Sequence, residues 1–308
     1  MILYLSGLFI YAIPDMQRIV QERKNDKVVE NFREKLGENQ QGEGSDKSGG
    51  ESADVTDGTR YITRNEQLYQ EMQKYNQQIF SEGQSGLTDP WAYEQETLDL
   101  SKYGICDGVI GVLDIPKMGV TLPLYLGATQ EKMAKGAVML GETSFPVEGT
   151  DSNCVIAAHR GWKGIPMFSE IERLELGDEL TIQNCRETLV YRVSGIEIIF
   201  PNEIDKVMIQ PGRNMVTLIT CHPYTQNSRR YVVYCEEVGT QQENLDTEKS
   251  SSEEFGSENN SCSEESMQNR VEAIKEDQNL IARDTIWRKA GYIVIGLLGV
   301  ILVAIRGR

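Results

Sequence analysis

A cysteine that closes a β-branched run is well placed to present a thiol. In Val216-Thr217-Leu218-Ile219-Thr220-Cys221 the run reads as a strand, and His222-Pro223-Tyr224 carries the chain into a loop, where functional groups concentrate. An unperturbed thiol has a pKa of about 8.5 and attacks as thiolate, so it needs a partner that takes the proton or stabilises the charge. The chain has two histidines, His159 and His222. His159 ends the apolar run Cys154-Val155-Ile156-Ala157-Ala158, and an imidazole can serve as acid or base near neutrality. His222 adjoins Cys221, and adjacent strand positions point to opposite faces, so His159 is the candidate partner. Arg229 and Arg230 open the run Tyr231-Val232-Val233-Tyr234. An arginine keeps its proton, so its contribution is electrostatic: holding a peptide backbone or stabilising an oxyanion. Taken singly, these are a buried structural cysteine, a packed histidine and solvated charges. Taken together, they are a nucleophile, an acid/base and a fixed cation, the set that acyl transfer requires.

The elements that must position these groups are short and β-rich. Val109–Ile115, Val120–Tyr125, Cys154–His159, Glu179–Gln183, Thr188–Ile199, Met215–Cys221 and Tyr231–Tyr234 read as strands, separated by turn signals at Pro116, Gly177-Asp178 and Pro211-Gly212. Many short strands with few long helices predict a mainly β fold, a closed barrel or a sandwich. Tyr61–Ser81 reads as one or two helices ahead of it. Strand parity puts His159 on the face of Val155 and Ala157 with Cys154 opposite, and Arg230 on the face of Val232 with Cys235 opposite, so neither cysteine is set to bridge Cys221.

As a set, these motifs resemble the sortase family. The matching pattern is Thr217-Leu218-Ile219-Thr220-Cys221 with Arg230 nine residues on, together with Ala158-His159-Arg160-Gly161. Gly108-Val109-Ile110-Gly111 through Ile115-Pro116, Leu122-Pro123-Leu124-Tyr125, Lys135-Gly136-Ala137-Val138, and Met167-Phe168 through Leu176-Gly177-Asp178 add to it, over about Leu87 to Val238. Leu87-Thr88-Asp89-Pro90-Trp91 is similar to the Asp-Pro-aromatic lid of the class C, pilin-polymerising members. The chain departs from the family pattern at Ala157-Ala158, where Ser-Gly or Thr-Gly is common, at His222 in place of Thr, and at Arg229 in place of His.

The resemblance implies an eight-stranded closed β-barrel with short helices. It implies Cys221 as nucleophile, His159 as general acid/base, Arg230 as substrate or oxyanion ligand, and a lid of Asp89, Pro90 and Trp91, with Asp89 on Arg230 and Trp91 over Cys221. The implied reaction cleaves an LPxTG-like sorting signal, forms a thioacyl-enzyme and passes it to a pilin lysine. The alternative within the family is a housekeeping enzyme that attaches surface proteins to the cell wall. The alternative outside enzymes is a tethered binding module in which Cys221 is structural. No metal and no cofactor is implied, and two histidines cannot build a multi-histidine cage.

Composition sets the surroundings. Forty-seven acidic against 31 basic residues give a formal net charge of −16, which argues against a nucleic-acid partner. The six cysteines, Cys106, Cys154, Cys185, Cys221, Cys235 and Cys262, contain no C-x-x-C pair and suggest neither a zinc ribbon nor a disulfide framework. Residues 1–14 are apolar and short for a membrane span, and residues 15–60, Gly- and acid-rich over Gly37–Gly58, read as a flexible linker. Residues 61–107 read as helix and lid, 108–239 as the catalytic barrel, and 240–286 as an acidic disordered stalk. Ala290–Ile305 carries no charge between Arg288-Lys289 and Arg306, and as a helix would rise roughly 24 Å against a hydrocarbon core of about 30 Å. Residues 287–308 are therefore expected to form a transmembrane helix. The sortase resemblance implies the cell membrane of a Gram-positive-type bacterium, with the catalytic domain outside.

Overall fold

The computed structural model describes residues 16, 19–36, 64–93, 98–103, 105, 108–161, 165–224, 226–240 and 291. The expected N-terminal apolar segment, the Gly37–Gly58 linker, the acidic stalk and, apart from Gly291, the C-terminal span lie outside the described residues, as do Cys106 and Cys262. Among the described residues no helix is long and apolar enough to cross a membrane.

Eight strands close into a barrel: β1 (Val109–Ile115), β2 (Val120–Leu126), β3 (Ala137–Met139), β4 (Ser152–Ala157), β5 (Glu179–Gln183), β6 (Thr188–Ile199), β7 (Asn214–His222) and β8 (Arg229–Thr240). Around the barrel they run β1-β2-β3-β4-β7-β8-β6-β5, and β5 returns to β1. Pairing is antiparallel except between β2 and β3 and between β4 and β7. Closure leaves no free edge. Gly111 permits the β1–β5 approach, since a Cβ there would lie 2.6 Å from the Gln183 carbonyl oxygen.

The alternation of side chains sorts the apolar residues into two clusters. One takes members from all eight strands, among them Leu113, Leu124, Met139, Ile156, Ile182, Tyr191, Leu218 and Val233, and is therefore the barrel interior. The other lies outside the β2-β3-β4-β7-β8-β6 wall and includes Tyr125, Val138, Val155, Ala157, Ile199, Ile219 and Val232. Cys154 and Cys235 belong to the interior and Val155, Ala157 and Val232 to the outer cluster, as strand parity predicts.

Helices cover the barrel. In α2 (Arg64–Glu82) the buried residues Leu68, Tyr69, Met72, Asn76 and Ile79 recur at helical spacing, so one stripe meets the barrel. The buried Asn76 donates to the Phe145 carbonyl (2.9 Å) and accepts from its N–H (2.7 Å), satisfying two backbone groups that are shut off from water.

Three expectations need correction. Residues 19–36, read as part of a linker spanning 15–60, form a helix, α1. Its charged surface hides a narrow stripe: Val29 is buried, while Val28 and Phe32 pack on the outer cluster. The segment Lys135–Val138, absent from the expected strands, runs into β3, whose three residues are too few to show alternation. β4 ends at Ala157, so His159 stands two residues beyond its strand rather than at its end.

Candidate active site

The candidate side chains sit at one end of the β4–β7–β8 wall, on its outer face. In the β7–β8 ladder Cys221 lies directly opposite Arg230, and Ile219 opposite Val232 two rungs below. Ile219 and Val232 belong to the outer cluster, so period-two alternation puts Cys221 and Arg230 on that same face. The third group arrives from β4, which pairs with β7 through Ala157 opposite Ile219. Beyond that rung the Ala158 N–H reaches the Ile219 carbonyl (3.3 Å) and the Thr220 hydroxyl donates to the Ala158 carbonyl (2.8 Å). These bonds keep the His159 segment beside the Cys221 end of β7 after the regular ladder stops. Gly161, at φ +82°, then turns the chain away.

A short turn folds over this end. Pro90–Ala92 form a single 3₁₀ turn capped by Asp89, whose carboxylate accepts from the Trp91 N–H at 3.2 Å. The same carboxylate receives two bonds from Arg230, Nε to Oδ1 at 2.7 Å and Nη2 to Oδ2 at 2.8 Å. This is the bidentate, charge-assisted geometry that a planar guanidinium favours. Arg230 Nη1 donates to the Asn227 and Arg229 carbonyls, at 2.9 and 2.8 Å. Every nitrogen of the guanidinium thus has an acceptor, and the Trp91 ring lies over it, 4.5 Å from Cζ to the ring centroid. The expectation put Trp91 over Cys221; the indole covers the guanidinium across the ladder from it, and its ring centroid is 6.5 Å from that of His159. Leu87 and Pro90 are buried too.

Electrostatics follow from the burial. Cys221 is 6% exposed, and its thiol is pushed up to about 11, chiefly by loss of water; Arg230 and Arg160 pull it down and the Asp89 carboxylate pushes it up. Burial also lowers the pKa of His159, so its imidazole is neutral at neutral pH. With the turn closed, both groups are therefore uncharged, and the cation that would stabilise a developing anion is neutralised by Asp89. Among the described residues no cluster of His, Cys, Asp and Glu could hold a metal ion.

Two features escaped the sequence. Tyr93 ends the covering turn in the left-handed region (φ 58°), packs on the outer cluster, and has its pKa raised by burial and by the nearby Cys221 and Asp89 charges. Behind Cys221, on the interior side of the wall, Arg160, Glu172 and His222 form a buried polar group. His222 thus lies on the opposite face from Cys221, as alternation requires.

The Sortase domain family matches residues 113–238, the span from β1 into β8. Sortase A of Bacillus anthracis is 32% identical over 132 residues, 43% of this chain and 61% of that protein, so the chain spans under two thirds of that relative's length. Among solved structures, sortase C-1 of Actinomyces oris is 32% identical with a TM-score of 0.52, covering 57% of this chain and 99% of that one. Sortase C of Streptococcus pneumoniae is 26% identical with a TM-score of 0.57, covering 70% of this chain and 99% of that one. A closed barrel of this topology, carrying cysteine, histidine and arginine at one end, defines a class of β-barrel thiol proteins. Within it, the chain belongs to the sortase family.

Proposed function

We propose that this protein is a membrane-anchored cysteine transpeptidase of the pilin-polymerising kind. It cleaves an LPxTG-like sorting signal, holds the acyl fragment as a thioester on Cys221, and transfers it to a lysine amine of a pilin subunit. The observation that carries the reading is the cross-strand pair Cys221–Arg230 with Asp89 locked onto Arg230 from a separate turn. A thiol beside a fixed cation suits acyl transfer, and a carboxylate occupying that cation suits an enzyme whose site must be opened by its substrate. The kind of substrate is supported by the solved neighbours, among them the Streptococcus pneumoniae sortase C whose structure bears on pilin substrate specificity and sortase C2 of group B Streptococcus pilus island 1. The membrane location rests on the uncharged segment Ala290–Ile305, with the barrel on the extracellular face.

The chemistry runs in two balanced halves. The substrate backbone displaces Asp89 from Arg230, and the Cys221 thiol gives its proton to neutral His159 as sulfur bonds to the scissile carbonyl. The oxyanion is held by Arg230, and His159 returns the proton to the departing amine as the C–N bond breaks. In the second half a lysine amine attacks the thioester, loses a proton to His159, and forms the new amide as the thiolate leaves and takes that proton. The reading does not need metal or cofactor.

A second reading, a housekeeping enzyme anchoring surface proteins to the cell wall, is favoured by the likeness to Sortase A of Bacillus anthracis. Product analysis separates the two. The barrel incubated with an LPxTG peptide and either a pilin lysine peptide or a cell-wall cross-bridge amine should yield the lysine-linked amide preferentially. A product confined to the cross-bridge amine would select the second reading, and no product with either would reject both.

A further inference from the structure

The two faces of the wall are built from adjacent residues. His159, Cys221 and Arg230 belong to the site, and their successors Arg160, His222 and Tyr231 meet on the interior side. The Arg160 guanidinium stands 5.8 Å from the Tyr231 ring centroid, and the His222 and Tyr231 ring centroids are 5.9 Å apart. Arg160 Nη2 is ion-paired with Glu172 Oε1, whose carboxylate also faces His222 Nδ1 at 3.9 Å. Arg160 Nη1 lies 3.1 Å from His222 Nδ1 and donates to the Cys221 backbone carbonyl at 3.3 Å. The side chains of Arg160 and Glu172 are each 3% exposed.

The bond to Cys221 has a structural logic. Carbonyls alternate sides along a strand, and the Ile219 carbonyl accepts from the Ala158 N–H on the β4 side. The Cys221 carbonyl therefore points to that side too, where β4 has already ended. A buried carbonyl needs a donor, and here Arg160, just before the turn at Gly161, supplies one from its side chain. One guanidinium thus joins the segment bearing His159 to the residue bearing the nucleophile. Glu172, on the 3₁₀ turn Ile171–Arg173, fixes the guanidinium in turn.

We infer that Arg160, braced by Glu172 and His222, is a positioning residue of the acyl-transfer site: it holds the Cys221 main chain, and with it the thiol, in register with His159 and Arg230. The inference rests on the catalytic reading above. A lysine at 160 keeps the charge but lacks the fork that reaches Glu172 and the carbonyl together. A misplacement of the order of an ångström can cost about a hundredfold in rate.

The test uses Arg160→Lys and the double variant Arg160→Met with Glu172→Gln, which removes both buried charges so that neither is left alone. Leu180→Ala, on β5 in the barrel interior, serves as a destabilised control. With a fluorogenic LPxTG peptide, both Arg160 variants should lose roughly ten- to a hundredfold in kcat while KM stays within about twofold. Leu180→Ala should keep its kcat at a temperature where all variants are folded. A second readout needs no peptide: with carbonyl-¹³C cysteine, the Cys221 resonance should move to lower frequency in the double variant while those of Cys154 and Cys235 stay. A kcat within twofold of wild type, or a loss matching that of an equally destabilised Leu180→Ala, would overturn the inference. If the wild type itself turns over no peptide, the catalytic reading fails, and the carbonyl shift alone decides: movement supports the hydrogen bond's role at Cys221, and an unmoved resonance ends it.

Discussion

The outer and inner faces of the β4–β7–β8 wall carry charged groups of similar kind in opposite circumstances. Outside, Arg230 is paired with a carboxylate on a turn that meets the barrel only locally, and Asp89 is 18% exposed. Inside, Arg160 is paired with Glu172 and both are almost without water. An arginine–carboxylate pair at the rim is strong in geometry yet can be exchanged for a substrate's acceptors, because its partner can leave. The same pair sealed within the fold cannot be exchanged, since separating it leaves an unpaired charge in a dry interior. On the proposed reading the rim ion pair serves access and the sealed one serves geometry, although the two stand on opposite faces of one wall.

That contrast can be broken by substitution. The largest effect on stability should come from Arg160→Leu, which strands Glu172 and should cost about 3–5 kcal/mol, read as a lowered denaturation midpoint. A loss under about 1 kcal/mol would mean that the inner pair is hydrated. Arg230→Lys should leave stability within about 1 kcal/mol and still lower kcat/KM by roughly a hundredfold, because a point charge cannot replace the planar fork. Near wild-type turnover would show that charge alone suffices. Asp89→Ala with Trp91→Ala should speed alkylation of Cys221 at pH 8. Both the burial and the carboxylate raise the thiol's pKa, so their removal lowers the midpoint of the alkylation–pH profile from about 11. An unchanged midpoint would make the turn a connector rather than a gate. The smallest effect belongs to the exposed pair Arg192–Glu179 (2.8 Å), where Arg192→Ala should cost no more than about 1 kcal/mol.

The legibility of these features in the sequence follows their range. Period-two alternation is local, so the strands of the barrel and the sides taken by Cys154, Cys221 and Cys235 could be read directly. Helix α1 was hidden because one apolar stripe within a charged, linker-like segment resembles solvated chain, and β3 because three residues carry no period. The contact of Asp89 with Arg230, 141 residues apart, came from family likeness and not from spacing. Nothing marked Glu172 beforehand, since it lies on a 3₁₀ turn of its own and meets Arg160 only in the folded barrel. Long-range polar pairs are written in the closed barrel, not in any window of the chain.

The central claim is that Cys221 forms a thioester with a sorting-signal acyl group. The most direct measurement is intact-protein mass spectrometry of the barrel mixed with an LPxTG peptide in the absence of an acceptor amine, with Cys221→Ala alongside. A mass increase equal to the acyl fragment, mapped to Cys221, reversed by hydroxylamine and missing from Cys221→Ala, is the predicted result. Peptide cleavage that proceeds equally in Cys221→Ala, or an adduct on another cysteine, would contradict it.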